Sequence, residues 1–209
     1  MTCGSWNSFI DRVRPRDGAS CERPDRTVIT AGPGKISAVI LILALGAIAQ
    51  TQEPCKRFVE PGVGVSYCQP EGWNAVTGAD GVTVVTGPAT DGFPPNLQGR
   101  AFSLPQSLDD LASLMIRQLP EMVRRSGGTN FSLLGKSDLM TAASQRVIKV
   151  AFQSRVGGYS LRTTQYFVAL EGDRKYILTL TALETQMKNL DLIVDESLKT
   201  LQVEKKPNP

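Results

Sequence analysis

Three long segments near the C-terminal end constrain the fold more than any other feature of the sequence. Arg146–Ser154, Tyr159–Glu171 and Arg174–Ala182 are rich in β-branched and aromatic residues, and Gly157-Gly158 and Gly172-Asp173 separate them. Such junctions are hairpin signals, because a tight turn between antiparallel strands needs residues that accept positive φ. The three segments therefore read as consecutive strands of an antiparallel meander. Within each strand the side chains alternate. Ile148, Val150 and Phe152 face one side, with Lys149, Ala151 and Gln153 on the other. Tyr166, Val168 and Leu170 share a face, as do Tyr176, Leu178 and Leu180, with Lys175, Thr179 and Thr181 opposite the last three. The expectation is a sheet with one apolar and one polar face.

Two amphipathic helices supply a cover for the apolar face. Ser107 is an N-cap residue, and Asp109 and Asp110 suit the positive end of a helix that begins there. Leu108, Leu111, Met115, Leu119 and Met122 follow at three- or four-residue steps. Pro120 should kink this helix or end it near Leu119, and Gly127-Gly128 closes it. A second helix covers about Lys188–Leu201, with Leu190, Ile193, Val194, Ser197, Leu198 and Leu201 as its inner stripe and Asp191, Asp195 and Glu196 on its outer face. Further strands are expected at Val63–Tyr67, Val82–Thr86 and Leu97–Leu104, punctuated by Gln69-Pro70-Glu71-Gly72 and Asp91–Pro95. The fold class is α+β: an antiparallel meander packed with two main helices.

The first part of the chain reads differently. Residues 1–34 are polar, rich in Arg, Pro and Gly, and show no period. Lys35 then precedes Ile36–Ala49, an apolar run ending in Ala47-Ile48-Ala49. Fourteen residues rise only about 21 Å as a helix, short of the roughly 30 Å hydrocarbon core. The run therefore fits a secretory signal, cleaved after Ala49, better than a membrane span. The organisation expected is a leader over 1–34, a signal core over 35–49, a linker over 50–56, a domain over 57–203 and a frayed tail over 204–209. The leader is long. A start at Val28, read from a GUG codon, would shorten it to VITAGPGK. The rival reading, a two-part transit peptide, sits poorly with Asp11, Asp17, Glu22 and Asp25. A chain exported in this way works in the periplasm or another extracytoplasmic space.

Composition removes several classes of function. The chain has 209 residues and no histidine, so a Ser-His-Asp or Cys-His site cannot be built within it. The formal charge is +3, and residues 1–49 hold six Lys/Arg against four Asp/Glu, which leaves seventeen against sixteen for the rest. A nucleic-acid binder would carry a larger basic excess on one face. No serine lies in a G-x-S-x-G or S-x-x-K context, and neither a P-loop nor a dinucleotide fingerprint is present. Asp109 and Asp110 are adjacent, so they diverge on a helix and suit capping better than acid–base work. Cys55 and Cys68 remain after the signal and read first as a disulfide; two buried free thiols or a lipidated Cys55 are the alternatives.

The landmarks also resemble a known group. Val63–Trp73, VGVSYCQPEGW, looks like the opening strand and turn of the superfamily that joins PsbP, DcrB, Mog1 and LpqN. Phe93-Pro94-Pro95-Asn96-Leu97 resembles its second landmark, and Tyr176–Leu201 its final strand and helix. The resemblance spans roughly residues 57–203. It implies an α/β/α sandwich around an antiparallel sheet, and members that are mostly non-enzymatic and assist larger complexes or bind partners. Metal sites known in the plant photosystem protein involve histidine, so no metal residue carries over and no cofactor is expected.

The reading that follows is an exported, non-catalytic accessory or protein-binding module whose partner is an envelope protein or complex. A periplasmic carrier of a lipid or metabolite, with a pocket between sheet and helices, is one alternative; a histidine-free hydrolase is another. The candidate contact residues are Phe93 and Asn96 of the Pro-rich loop, with Lys149, Gln153, Lys175 and Thr179 of the polar sheet face, to which Gln165 and Thr181 also belong. Each has a plainer role beside it: Asn96 could satisfy loop backbone, and the polar face could be an ordinary solvated surface. Trp73 reads as a plug at the edge of the core. Arg117, Arg124 and Arg125 complement a helix C-terminus and could touch anionic lipid only weakly.

Overall fold

A computed structural model describes residues 55–78 and 82–204. The expected leader, signal core and cleavage point, and positions 50–54 of the linker and 205–209 of the tail, lie outside the described residues.

The meander forms as the glycine junctions dictate. β7 (Arg146–Val156), β8 (Tyr159–Ala169) and β9 (Arg174–Leu183) pair antiparallel in sequence. Gly157 and Gly158 take φ of 57° and 89° between the first two, a conformation that side chains with a Cβ resist. Around them lie β3 (Asn74–Thr77), β4 (Thr83–Thr86), β5 (Asn96–Ser103) and β6 (Thr129–Met140), in the sheet order β3-β4-β5-β9-β8-β7-β6. A smaller sheet has the order β1-β2-β10, from Arg57–Glu60, Val65–Cys68 and Gln202–Val203. All pairings are antiparallel. The closing residues Gln202 and Val203 are thus a paired strand.

The large sheet has two apolar faces, which corrects the expectation of one. Helix α1 (Leu108–Arg125) lays Leu111, Ala112, Leu119 and Val123 over Ile148, Val150, Phe152, Phe167 and Ile177. The other face carries Val147, Tyr166, Val168, Tyr176, Leu178 and Leu180 beneath Met187, Val194 and Leu198 of helix α2 (Met187–Lys199) and beneath Phe58, Val65 and Tyr67 of the small sheet. The reason lies in β8 and β9: Tyr166-Phe167-Val168 and Tyr176-Ile177-Leu178 are apolar at both parities, so neither face tolerates water. The result is an α+β sandwich, with helices on both sides of an antiparallel sheet.

The first helix starts where its cap predicts: Ser107 Oγ accepts from the Asp110 N–H at 3.1 Å. Pro120 does not end it. The proline sits on the exposed side, and Leu119 and Val123 keep the turns around it seated on the sheet. The second helix is rolled relative to expectation. Ile193 is 45% exposed, while Asp191 and Asp195 turn inward.

Two seams fix the small sheet. Cys55 and Cys68 form a disulfide, with Cα atoms 5.6 Å apart, that joins the approach to β1 with the end of β2. Glu60 of β1 points into the core, where the Tyr176 hydroxyl donates to Glu60 Oε2 at 2.8 Å. The Tyr176 ring packs against Gly99 of β5, where a Cβ would fall 2.0 Å from the tyrosine hydroxyl. Gly99→Ala would therefore displace Tyr176 from Glu60. Overpacking of this kind predicts a loss of about 1–3 kcal/mol, read by chemical denaturation of the purified protein. Unchanged stability would show that the ring is free to move.

Candidate functional site

The polar chemistry of the large sheet gathers where α2 crosses β7 and β8. Cross-strand register places Lys149 opposite Tyr166, and Gln153 opposite Arg162, all on the α2 face. Helical spacing puts Asp191 and Asp195 one turn apart on the side of α2 that meets these strands. Lys149 Nζ reaches Asp195 Oδ2 at 2.8 Å and Oδ1 at 3.0 Å, and Asp191 Oδ1 at 3.6 Å. Arg162 donates to Asp191, as does Thr164 Oγ1 at 3.3 Å. The Tyr166 hydroxyl donates to Asp195 Oδ1 at 2.9 Å, and the Lys149 ammonium also lies 5.6 Å from the centre of that ring.

The lattice pairs two cations with two carboxylates. Lys149 and Asp191 are each only 14% exposed, so the desolvation of each charge is offset by its partners. Burial pushes the Tyr166 hydroxyl well above the ordinary tyrosine range, and the Asp195 carboxylate beside it adds to the rise. Tyr166 therefore serves as a neutral donor across the physiological range. One donor is left over: Arg162 Nε is inaccessible and has no hydrogen-bond partner among the described residues. Beside the lattice opens a shallow cleft of about 240 Å³, lined by Leu134, Gly135, Lys136, Ser137, Lys149, Ala151 and Arg162.

The expected contact residues do not assemble into one surface. Lys149 and Gln153 lie on the α2 face. Lys175, Thr179, Gln165 and Thr181 lie on the α1 face, because Val150, not Lys149, stands opposite Gln165, and Gln165 in turn stands opposite Thr179. A one-residue difference in register exchanges faces, so alternation within single strands could not align them. Phe93 is 2% exposed and packs with Leu161 and Leu183; Asn96 is 5% exposed and its amide approaches the Thr181 carbonyl. Gln186 ties the loop down by donating to the carbonyls of Thr90 and Phe93 at the start of α2. Trp73 is buried in the core edge, as its turn suggests. Arg124 and Arg125 both pair with Glu121 on the surface of α1.

Sequence reasoning missed the lattice because it set Asp191 and Asp195 outward. The available signal was their four-residue spacing together with Lys149 and Arg162, basic residues in otherwise apolar strands.

A second buried polar group sits on the same face. Burial holds the Glu60 carboxyl above its ordinary value, and the hydrogen bond from Tyr176 offsets only part of that rise. The Tyr67 hydroxyl nearby has no hydrogen-bond partner among the described residues.

Two predictions follow from these groups. Lys149→Met leaves Asp195 without its cation and should cost about 2 kcal/mol. Tyr166→Phe should cost about 1 kcal/mol. Because both residues hold Asp195, the double variant should depart from the sum of the two; additive losses in denaturation would contradict a shared lattice. For Glu60, a folded value above the unfolded one means stability is full below the ordinary carboxylate range and falls as pH rises through the folded value. Glu60→Gln keeps an oxygen for Tyr176 and should abolish that fall. Denaturation of both proteins from about pH 4 to about pH 7 reads the difference, and parallel curves would contradict it.

No protein-family model matches the sequence, and no curated protein sequence does. Solved structures do match the fold. The cyanobacterial PsbP of Synechocystis is similar over 77% of this chain and 99% of its own, with 17% identity and a TM-score of 0.55. The Ran-binding protein Mog1p of Saccharomyces cerevisiae is similar over 71% of this chain and 94% of its own, with 10% identity and a TM-score of 0.52. LpqN of Mycobacterium tuberculosis, described as involved in cell envelope biogenesis, is similar over 74% of this chain and 88% of its own, with 12% identity and a TM-score of 0.50. The chain has the PsbP/Mog1-like fold.

Proposed function

We propose that this chain is an exported, non-catalytic accessory module that binds a protein of the cell envelope, with the cleft beside the Lys149 lattice as its contact region. The observation that carries the reading is the state of the charged groups. Asp191 and Asp195, the paired carboxylates of the site, are each held by a cation and a hydroxyl donor of the sheet. Carboxylates fixed in that way are suited to holding a surface in shape. Lys136, Ser137, Lys149 and Arg162 then offer polar groups to an incoming surface along the cleft.

Export is supported by the apolar run Ile36–Ala49 behind Lys35 and by the Cys55–Cys68 disulfide, which suits an oxidising compartment. The similar LpqN, described as acting in envelope biogenesis, is consistent with that location. Protein binding accords with the Ran-binding description of the similar Mog1p. The carrier alternative gains less support. The space between the large sheet and α2 is filled by Tyr166, Tyr176, Leu178, Met187 and Leu198, all essentially inaccessible.

Cross-linking of the natively expressed protein in the cell envelope, with identification by mass spectrometry, tests the reading. A recurrent envelope protein is expected, and Leu134→Glu, which sets a charge on the exposed wall of the cleft, should reduce its recovery. Recovery indifferent to Leu134→Glu would remove the cleft as the contact, and the lack of any recurrent protein would contradict the accessory role.

A further inference from the structure

Among the described residues β6 is a terminal strand of the seven-stranded sheet, and it is twelve residues long and exposed along most of its length. An open edge of that length presents unpaired N–H and C=O groups to any second strand. Its two halves differ. The pairing with β7 shifts between Thr129 and Ser132 and again between Leu133 and Gly135. From Gly135 to Met140 it is regular, with Gly135 opposite Ala151 and Met140 opposite Arg146. Bulges twist the first half away from a straight ladder. The second half can accept a strand.

The regular half is self-complementary in one register. We propose that two copies of the chain pair antiparallel along β6, about a two-fold axis at Ser137, so that the sheet continues from one copy into the other. An axis perpendicular to the sheet preserves its faces, so residues that oppose each other must share a face, and every permitted register centres on a residue. Centring on Lys136 sets lysine against lysine. Centring on Asp138 sets aspartate against aspartate. Centring on Leu139 sets Asp138 against Met140. Centring on Ser137 sets Lys136 against Asp138 of the second copy, twice, with Gly135 against Leu139 and Ser137 against its own counterpart. Opposite charges directly across a strand pair stabilise it, and like charges destabilise it.

The surrounding charges extend the match. Lys136 is already paired with Asp109 at 2.9 Å, and Asp138 with Arg146 at 3.0 Å. The Ser137 register places these in one row across the junction: Arg146, Asp138, then Lys136 and Asp109 of the second copy, alternating in sign.

A charge exchange tests this register specifically. Sedimentation velocity of the purified full chain should show a concentration-dependent dimer. Lys136→Asp and Asp138→Lys, made separately, set like charges opposite each other at two symmetric places and should each weaken the dimer by about tenfold or more. The two substitutions together restore opposite charges and should return the dimer to within a few-fold of wild type. Circular dichroism confirms that each variant is folded. Independently, Ser137→Cys should cross-link the two copies under mild oxidation, above the background of the wild-type chain treated alike. A chain that stays monomeric at every concentration would overturn the proposal. So would a dimer indifferent to the separate substitutions, or a Ser137→Cys chain that does not cross-link. Capture of an unrelated extended peptide by a monomeric chain would overturn it as well.

Discussion

Burial of β8 and β9 on both faces is the constraint from which the remaining architecture follows. Tyr166-Phe167-Val168 and Tyr176-Ile177-Leu178 present large apolar groups alternately to the two sides, and all six are buried. A strand pair of this composition cannot sit at a water-facing surface, so each side must be roofed. The amphipathic helix Leu108–Arg125 roofs one side. The other is roofed by α2 and the small sheet together, with Tyr166 reaching Asp195 of the helix and Tyr176 reaching Glu60 of the small sheet. The disulfide and the Glu60–Tyr176 hydrogen bond then secure that small sheet to the layer beneath.

Polar groups lie at the seams of this arrangement, and they orient its parts. The apolar stripe of α2 alone would permit small rotations about the helix axis, because aliphatic contacts have little directionality. Asp191 and Asp195 remove that freedom by engaging Lys149, Arg162, Thr164 and Tyr166 from two different strands. The lattice contributes little net stability relative to a well-packed apolar seam, but any other roll of the helix would strand a desolvated charge. The same groups form one wall of the cleft that we assign to partner binding, so the feature that sets the helix also shapes the surface. Surface carboxylates are held differently. Arg146 and Lys136 keep Asp109 at about 2, and Arg124 and Arg125 keep Glu121 at about 2, both well below the ordinary carboxylate range.

Much of the fold was legible because its signals are local. Gly157-Gly158 and Gly172-Asp173 mark turns, Ser107 marks a helix start, and the apolar residues of α1 recur at helical spacing through the backbone chemistry of those residues alone. The landmarks Val63–Trp73 and Tyr176–Leu201 pointed to the fold that solved structures bear out. What was not legible depends on register. Lys149 meets Asp195 across 46 positions of sequence, and Lys149 and Gln165 fall on opposite faces only because Tyr166 is the residue across from Lys149. The roll of α2 was misjudged for the same reason. Ile193 counts as a core residue by hydropathy, yet the cations of β7 and β8 draw Asp191 inward and leave Ile193 exposed. β6 escaped notice because its two register shifts and Gly135 interrupt the alternation by which strands are read.

Native-state hydrogen exchange tests the central claim most directly. If β8 and β9 are roofed on both faces, their amides should exchange only through global unfolding, with the same free energy that denaturation gives for the whole domain. Amides of β8 and β9 that exchange through a smaller local opening would mean that one face is uncovered in solution, and would contradict this account of the fold.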